Sequence, residues 1–286
     1  MKTIDIKKLL AGVITASIFS GCAYTAEQKK EPKMLTNKQK VIELLNSIET
    51  GATEPINYIN PDKYIQHNLS IKDGLKGFGE VVAMLPKGSS SVKVVRAFED
   101  ENYVFTHTKY NFFGAKVGFD IFRFEDGKIV EHWDNLQDIV KNTASGRTQI
   151  DGETKITDLD KTDENKTLVK KLFEDIFFGK NPNKITDYIS TEKYDQHNPY
   201  IKDGLAGLNE AITYLISKND MFTYKKLHKV LGEGNFVLTI SEGSWHGKPY
   251  SFYDLFRIEN DKIVEHWDTI QEIPTKDKWA NSNGKF

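Results

Sequence analysis

Apolar residues recur along the chain with two periods. Val41, Leu44, Leu45 and Ile48 fall at i, i+3, i+4 and i+7, one stripe of a helix. Thr36-Asn37-Lys38-Gln39 just ahead predicts a capping box, with Gln39 at N3 reaching back to the cap. Val169, Leu172, Phe173 and Ile176 hold the same spacing much later in the chain. Each of these helices is followed by a short Tyr-x-Gln-His-Asn segment. A second helix then opens near Asp73 or Asp203, both suited to an N-cap. The apolar face of the later one runs through Leu205, Leu208, Ile212, Leu215 and Ile216. After that the period shortens to two. Residues 92–98, 103–112, 116–124 and 128–137 are rich in β-branched and aromatic side chains and separated by turn residues, which predicts four strands. Asp126-Gly127 between the last two predicts a two-residue hairpin turn. Two helices followed by an antiparallel meander is the order of an α+β domain, helices packed on one face of a curved sheet.

The order occurs twice because the sequence does. Tyr64-Ile65-Gln66-His67-Asn68 returns as Tyr194-Asp195-Gln196-His197-Asn198, an offset of 130 (67 to 197). Ile71-Lys72-Asp73-Gly74-Leu75 returns unchanged at 201–205 with the same offset. Phe-Asp-Ile-Phe-Arg at 119–123 returns as Tyr-Asp-Leu-Phe-Arg at 253–257. Lys-Ile-Val-Glu-His-Trp-Asp at 128–134 returns unchanged at 262–268, now offset by 134 (132 to 266). Four blocks in one order mark a duplication, and a period this long means two domains rather than a solenoid. The expected division is a first domain over 37–141, a polar linker over 142–162 and a second domain over 163–286, with a polar, loose tail after Pro274.

The N-terminal stretch has a different character. Lys2, Lys7 and Lys8 precede an apolar run over residues 9–19. A basic start and an apolar stretch of about 11 residues read as a signal peptide; a membrane-spanning helix needs about 20. Phe19-Ser20-Gly21-Cys22 follows and resembles the lipobox of bacterial lipoproteins, with Phe19 where leucine is usual. Cys22 is the single cysteine of the chain, so an intrachain disulfide is excluded. These features predict a signal peptide over 1–21, lipidation at Cys22 and a tether over 22–36. The protein is then exported and held to a bacterial membrane by its lipid alone, with the domains in the periplasm or outside the cell. A net charge of −2 with signs mixed along the chain gives no basic stripe for nucleic acid.

Histidine carries the candidate chemistry, with seven in the chain. His67 matches His197 and His132 matches His266, whereas His107 aligns with Ile240. Period-two alternation places His132 and Asp134 on one face of the last strand, with Glu131 and Trp133 on the other. Asp120 lies across the hairpin from them. A carboxylate beside an imidazole raises its basicity and fixes its tautomer, so such a pair can move protons near neutral pH. The same pair can equally be structural, because buried polar groups must be hydrogen-bonded whether or not they act.

Gln-His-Asn, then Asp-Gly-Leu-x-Gly, then Asp-Ile-Phe-Arg-x-x-Asp-Gly-Lys-Ile-Val-Glu-His-Trp-Asp resembles the SnoaL-like branch of the NTF2-like superfamily, over nearly all of both copies. The resemblance implies two tandem cone-shaped α+β domains, each with helices closing a strongly bent sheet around an apolar pocket. Members include polyketide cyclases that perform aldol condensation, ketosteroid isomerases and dehydratases. Their shared step removes a proton next to a carbonyl with an Asp or His base and no cofactor; other members catalyse nothing. On this chain the resemblance implies Asp120 and Asp254 on a pocket strand and His132 and His266 near its mouth; together with His67, His107 and Asp134 in copy one and His197 and Asp268 in copy two they are the catalytic candidates. Tyr64, Trp133, Tyr194 and Trp267 are the candidate pocket residues. Three functions stay open. One is a proton-transfer enzyme on a small carbonyl compound, with His67, Tyr64 or Tyr194 stabilising the enolate. The second is a module that binds a hydrophobic ligand or partner protein at the envelope, and the third a metal site formed by His67, His132 and Asp134. Neither a resident metal nor a cofactor is expected. The loss of His107 in copy two suggests that one copy acts and the other supports, and pairing of the sheets as an internal pseudo-dimer is expected by analogy.

Overall fold

A computed structural model describes residues 34–85, 88 and 90–286. The expected signal peptide, Cys22 and most of the tether lie outside the described residues. Leu35–Phe286 form one compact unit.

Helix α1 (Asn37–Thr50) carries the expected capping box. Thr36 Oγ1 accepts from the Gln39 N–H, and Gln39 Oε1 accepts from the Thr36 N–H. Its apolar stripe, Val41, Leu44 and Leu45, is buried. A two-residue strand β1 (Ile65–Gln66) precedes helix α2 (Gly74–Met84). Asp73 stands at the N-cap of α2, yet its carboxylate does not cap the helix. It accepts the Gln66 N–H at 2.8 Å and so pins the Gln-His-Asn segment. The meander is β2 (Ser91–Asp100), β3 (Tyr103–Asn111), β4 (Ala115–Glu125) and β5 (Lys128–Asp138). Asp126 and Gly127 have φ of 47° and 73°, the left-handed pair that a tight hairpin turn requires.

Copy two repeats the plan. Helix α3 (Thr162–Leu172) runs on into a π-helical turn over Phe173–Phe177. A short α4 (Ile185–Tyr188) and β6 (Asp195–Gln196) lead to α5 (Gly204–Ser217). Strands β7 (Thr223–Glu233), β8 (Phe236–Trp245), β9 (Lys248–Glu259) and β10 (Lys262–Glu272) follow. The sheet orders are β1-β5-β4-β3-β2 and β6-β10-β9-β8-β7. In each, the short first strand runs parallel to the last one, which sets Gln66 beside His132 and Gln196 beside His266.

Alternation assigns the two faces of each sheet. One is covered by helices: Tyr64, Val104, Tyr110, Phe122 and Ile129 pack with α1 in copy one. The other meets the sheet of the opposite copy. Phe98, Phe105, Phe119, Ile121 and Trp133 form a single core with Leu231, Phe236, Leu238, Ile240, Tyr253, Leu255 and Trp267. Contacts across this layer come in reciprocal pairs, as an isologous interface requires. The Arg96 guanidinium lies 4.3 Å over Trp267, and the Lys229 ammonium 4.2 Å over Trp133. Lys38 pairs with Glu233 and Lys166 with Asp100, each at 2.7 Å.

The connecting segments correct the expectation of a loose polar tail. Ala280 N–H donates to Leu69 O, Asn281 Nδ2 to Asn68 O and Ile71 O, and Asn283 Nδ2 to Gln66 O. Phe286 stacks on His228 at 4.1 Å. Residues 142–152 do the same for copy two: Ala144 N–H donates to Pro199 O, Ser145 Oγ to Gln196 O, and Arg147 pairs with Asp195 and Asp203. The segment trailing each copy therefore straps the Gln-His-Asn loop of the other. Polar side chains serve here because that loop has backbone groups that no strand satisfies.

Candidate active site

Asp254 and Asp268 are direct partners across β9 and β10, and both are buried. Directly opposed residues have Cβ atoms only about 5 Å apart, so two carboxylates there need a proton or a cation between them. His266 supplies the first part of the answer. Its Nε2 lies 3.1 Å from Asp254 Oδ1 and its Nδ1 lies 2.9 Å from Gln196 Oε1. Gln196 Oε1 also accepts the Asn198 N–H, which identifies it as the amide oxygen. Nδ1 is therefore the fixed N–H, and the second proton of the imidazole is the one shared between Nε2 and Asp254. The Tyr224 hydroxyl donates toward both Asp254 oxygens, 3.2 Å from each. Asp268 accepts from Asn198 Nδ2 at 2.6 Å through Oδ2, while its buried Oδ1 has no hydrogen-bond partner among the described residues.

The electrostatics follow. Burial pushes the Asp268 carboxyl up to about 6; nearby Asp254 adds to this and the His266 charge opposes it. Burial also disfavours a charged His266, but its hydrogen bond to Asp254 and the charges of Asp268 and Asp254 outweigh that and raise it above the usual value. The cluster thus holds exchangeable protons close to neutral pH.

Copy one builds the same cluster. Asp120 faces Asp134 across β4 and β5. His132 Nε2 lies 3.3 Å from Asp120 Oδ1, and its Nδ1 lies 3.0 Å from Gln66 Oε1. Asn68 Nδ2 donates to Asp134 Oδ2 at 2.6 Å and Tyr110 OH to Asp120 Oδ2 at 2.5 Å. Two details differ. The phenol on the first carboxylate comes from β3 in copy one and from β7 in copy two. Lys285, buried at the end of the strap, reaches the copy-one cluster, its Nζ 2.6 Å from Asp134 O and 3.7 Å from Asp134 Oδ1, and also donates to Gln271 Oε1 of β10 at 2.8 Å.

Several candidates lie elsewhere. Along Gln66-His67-Asn68 the side chains alternate, so His67 turns away from the cluster into the layer between the sheets. There it stacks on Trp133 at 4.6 Å and pairs with Glu131 at 2.9 Å. His197 does likewise with Trp267 and Glu265. Neither reaches the carboxylates, which removes His67 as an enolate donor and dissolves the grouping of His67, His132 and Asp134 around a metal. The ligand atoms that do converge, within 4.8 Å of one another, belong to Asp120, His132 and Asp134, and to Asp254, His266 and Asp268. Two carboxylates and an imidazole are a donor set suited to a small divalent cation. Trp133 and Trp267 are core residues of the layer, not pocket walls. His107 is buried there too, stacked on Phe119 with Arg96 Nη1 3.1 Å from its Nδ1. Burial and the Arg96 charge push it well below the usual histidine value, so it is neutral. Tyr64 and Tyr194 do lie on the helix-covered face of the cluster, and Tyr194 OH accepts from Gln196 Nε2 at 3.4 Å.

A cleft of about 700 Å³ opens beside the copy-two cluster. Tyr200, Tyr214, Leu215, Phe222, Trp245 and Ile270 form most of its wall, and residues 142–144 close one side. Asn198 belongs to this wall and is also the residue that bonds Asp268. Sequence reasoning missed Gln66, Gln196, Asn68, Asn198, Tyr110, Tyr224 and Lys285. The signal for the first four was their place one residue either side of a repeated histidine.

No protein-family model and no curated protein matches this chain. Solved structures similar to it include an NTF2-like protein from Burkholderia xenovorans, at 18% identity over 43% of this chain and 99% of that one, with a TM-score of 0.33. An NTF2-like protein from Cytophaga hutchinsonii shares 14% identity over 37% of this chain and 95% of its own, with a TM-score of 0.33. IdmH from Streptomyces antibioticus, assigned provisionally to the polyketide cyclases, shares 14% identity over 38% and 92%, with a TM-score of 0.30.

Proposed function

We propose that the protein is an envelope-anchored, SnoaL-like proton-transfer enzyme whose copy-two cluster acts on a small, largely apolar carbonyl compound held in the adjoining cleft. The observation that carries this reading is the buried Asp254–His266 pair beside Asp268, a second carboxyl that keeps a proton up to about pH 6. The Asp254–His266 pair takes the proton from the carbon next to the carbonyl. The C–H electron pair moves into the new C=C bond, and the carbonyl oxygen becomes an enolate. In this reading Asp268 in its acid form and Tyr194 are the donors that stabilise that oxygen. Return of the proton to another carbon gives an isomerase; attack of the enolate on a second carbonyl gives an aldol product. Lipid attachment at Cys22 would hold the domains at a bacterial membrane.

Exchange of α-hydrogen for deuterium in a panel of small ketones and β-dicarbonyls, followed by NMR, tests the chemistry directly. Asp254→Asn and His266→Ala are each expected to slow exchange by about 10²–10⁴-fold, the usual span for a positioned acid or base. Exchange at the buffer rate with the parent protein would sink the reading. One observation favours a second reading, a binding module for an apolar ligand: Asn198 and Phe222 stand on the cleft wall, whereas Asp254 and His266 do not. Compounds that bind in the cleft without exchanging would select it.

A further inference from the structure

Strand β7 is the outer strand of the copy-two sheet, and a groove of about 580 Å³ runs between it and the end of α3. Lys170 lines the groove from α3, Phe178 from just past the π-helical turn, and Lys225 and Lys226 from β7. The three lysines are exposed, and among the described residues none of them pairs with a carboxylate. Glu174 is the acidic residue of the lining, while Glu242 and Asp220 nearby are engaged by His228 at 3.0 Å and His246 at 3.1 Å. Apolar side chains stand exposed beside the lysines. Phe178 and Met221 are 42% and 44% exposed, and Tyr214 and Ile216, in the last turn of α5, 62% and 61%. Tyr214 also lines the cleft. The turn from α5 into β7 adjoins the groove through neighbouring rings, Phe222 to Tyr224 at 5.8 Å and Tyr224 to Phe177 at 4.7 Å. The groove and the rim of the cleft thus form one face.

Lysines alone on an outer strand would only guard it against pairing with another strand. Unpaired lysines around exposed aromatic and aliphatic side chains match a bilayer surface with anionic headgroups, where cations meet phosphates and apolar tips enter the interface. The chain enters the unit on the same edge: Lys38, at the start of α1, pairs with Glu233 at the far end of β7 at 2.7 Å. The expected tether over 22–36 therefore leads to this edge. We propose that copy two docks on an anionic membrane through the β7 edge, with Lys170, Lys225 and Lys226 on the headgroups and Phe178, Ile216 and Met221 in the interface, so that the cleft opens toward the lipid. This rests on the anchored, cleft-binding reading above and deepens it: the ligand of the cleft is a compound that partitions into the bilayer.

The test uses the compact unit Leu35–Phe286, which lacks Cys22 and is read without turnover, so docking can fail apart from anchoring and apart from catalysis. Vesicles of phosphatidylcholine mixed with phosphatidylglycerol should sediment the protein at low salt, and vesicles of phosphatidylcholine alone should not. Lys225→Glu and Lys226→Glu should each weaken the partition coefficient by about fivefold or more and flatten its dependence on salt. Phe178→Ser should weaken it by a similar factor and leave the salt dependence as it was. Brominated acyl chains in the mixed vesicles should quench the tryptophan fluorescence of the bound protein. Trp245→Phe should remove most of that quenching, because Trp245 stands on the cleft wall, Trp133 and Trp267 are buried, and Trp279 belongs to the tail that straps copy one. No binding to the mixed vesicles, equal binding to phosphatidylcholine alone, binding that survives both glutamate variants, or quenching that survives Trp245→Phe would each overturn the proposal.

Discussion

Asp268 is the residue on which the local balance turns, and its burial makes a statement about stability. Its folded-state value of about 6 lies above that of an unfolded aspartate, about 3.9. Below about pH 4 both states hold the proton and the contribution is fully present. Between about pH 4 and 6 the unfolded state releases it first, so stability falls as pH rises, and above that range it stays lost. His266, also raised, works in the same direction: its contribution is present below the ordinary histidine value and is lost as pH rises through the folded one. Asp268→Asn should therefore match the parent in urea unfolding near pH 4 and exceed it near pH 7.5, by up to about 2–3 kcal/mol. A difference that does not grow with pH would mean that Asp268 is ionised and solvated. At this scale the sequence was legible where alternation applied: His132, Asp134 and Asp120 share a face as their spacing implied. The same period-two rule, applied to Gln66-His67-Asn68, points His67 the other way. The misplacement of His67 came from reading histidines as chemistry before reading them as positions on a strand. Tyr110 and Tyr224 were not legible, because the copies draw the phenol from different strands and no alignment of the repeats pairs them.

At the scale of elements, the expected linker is the part that the sequence described least well. Its polar composition reads as a linker between domains, but its partners are backbone and side-chain groups of the Gln-His-Asn loop, about 50 residues further along, which no local pattern reveals. Gly152 shows how closely it is held. Its φ is +93°, and a Cβ there would come within 2.1 Å of Glu265 Oε1, 2.8 Å of Trp267 and 2.9 Å of His197 Nε2. Gly146, also left-handed at +79°, would meet nothing within 4 Å. Gly146→Ala should cost only the left-handed backbone penalty, about 1–2 kcal/mol. Gly152→Ala should cost that plus displacement of the His197–Glu265 pair, giving a loss larger by about 1–3 kcal/mol in urea unfolding. Equal costs at the two glycines would mean that the strap is not pressed against the inter-sheet layer. The four strands of copy one were read within one or two residues, since their apolar periods answer to burial by helices on one face and by the sheet of the other copy on the other.

For the whole molecule, the exchange of straps means that each domain is finished by chain belonging to the other. The core between the sheets already joins the copies, with Trp267 and Tyr253 of one fully buried against Phe105 and Phe119 of the other. The segment 276–286 adds a different kind of link. It contributes hydrogen bonds to Gln66, Asn68, Leu69 and Ile71 and the buried Lys285 to Asp134, all in copy one, against one aromatic stack to His228 and one hydrogen bond from Lys285 to Gln271 in copy two. Removing residues 276–286 should therefore loosen the far copy, not the one to which they are joined in sequence. In hydrogen exchange read by mass spectrometry, peptides covering β1 and the loop to Asp73, together with β5, should lose protection by about tenfold or more, the equivalent of about 1.4 kcal/mol of local opening. Peptides covering β6 and β10 should change little, because residues 142–152 still strap them. Equal loosening of both copies would show that the tail stabilises the core as a whole. Loosening confined to copy two would show that proximity in sequence, rather than the crossed contacts, decides what the tail holds.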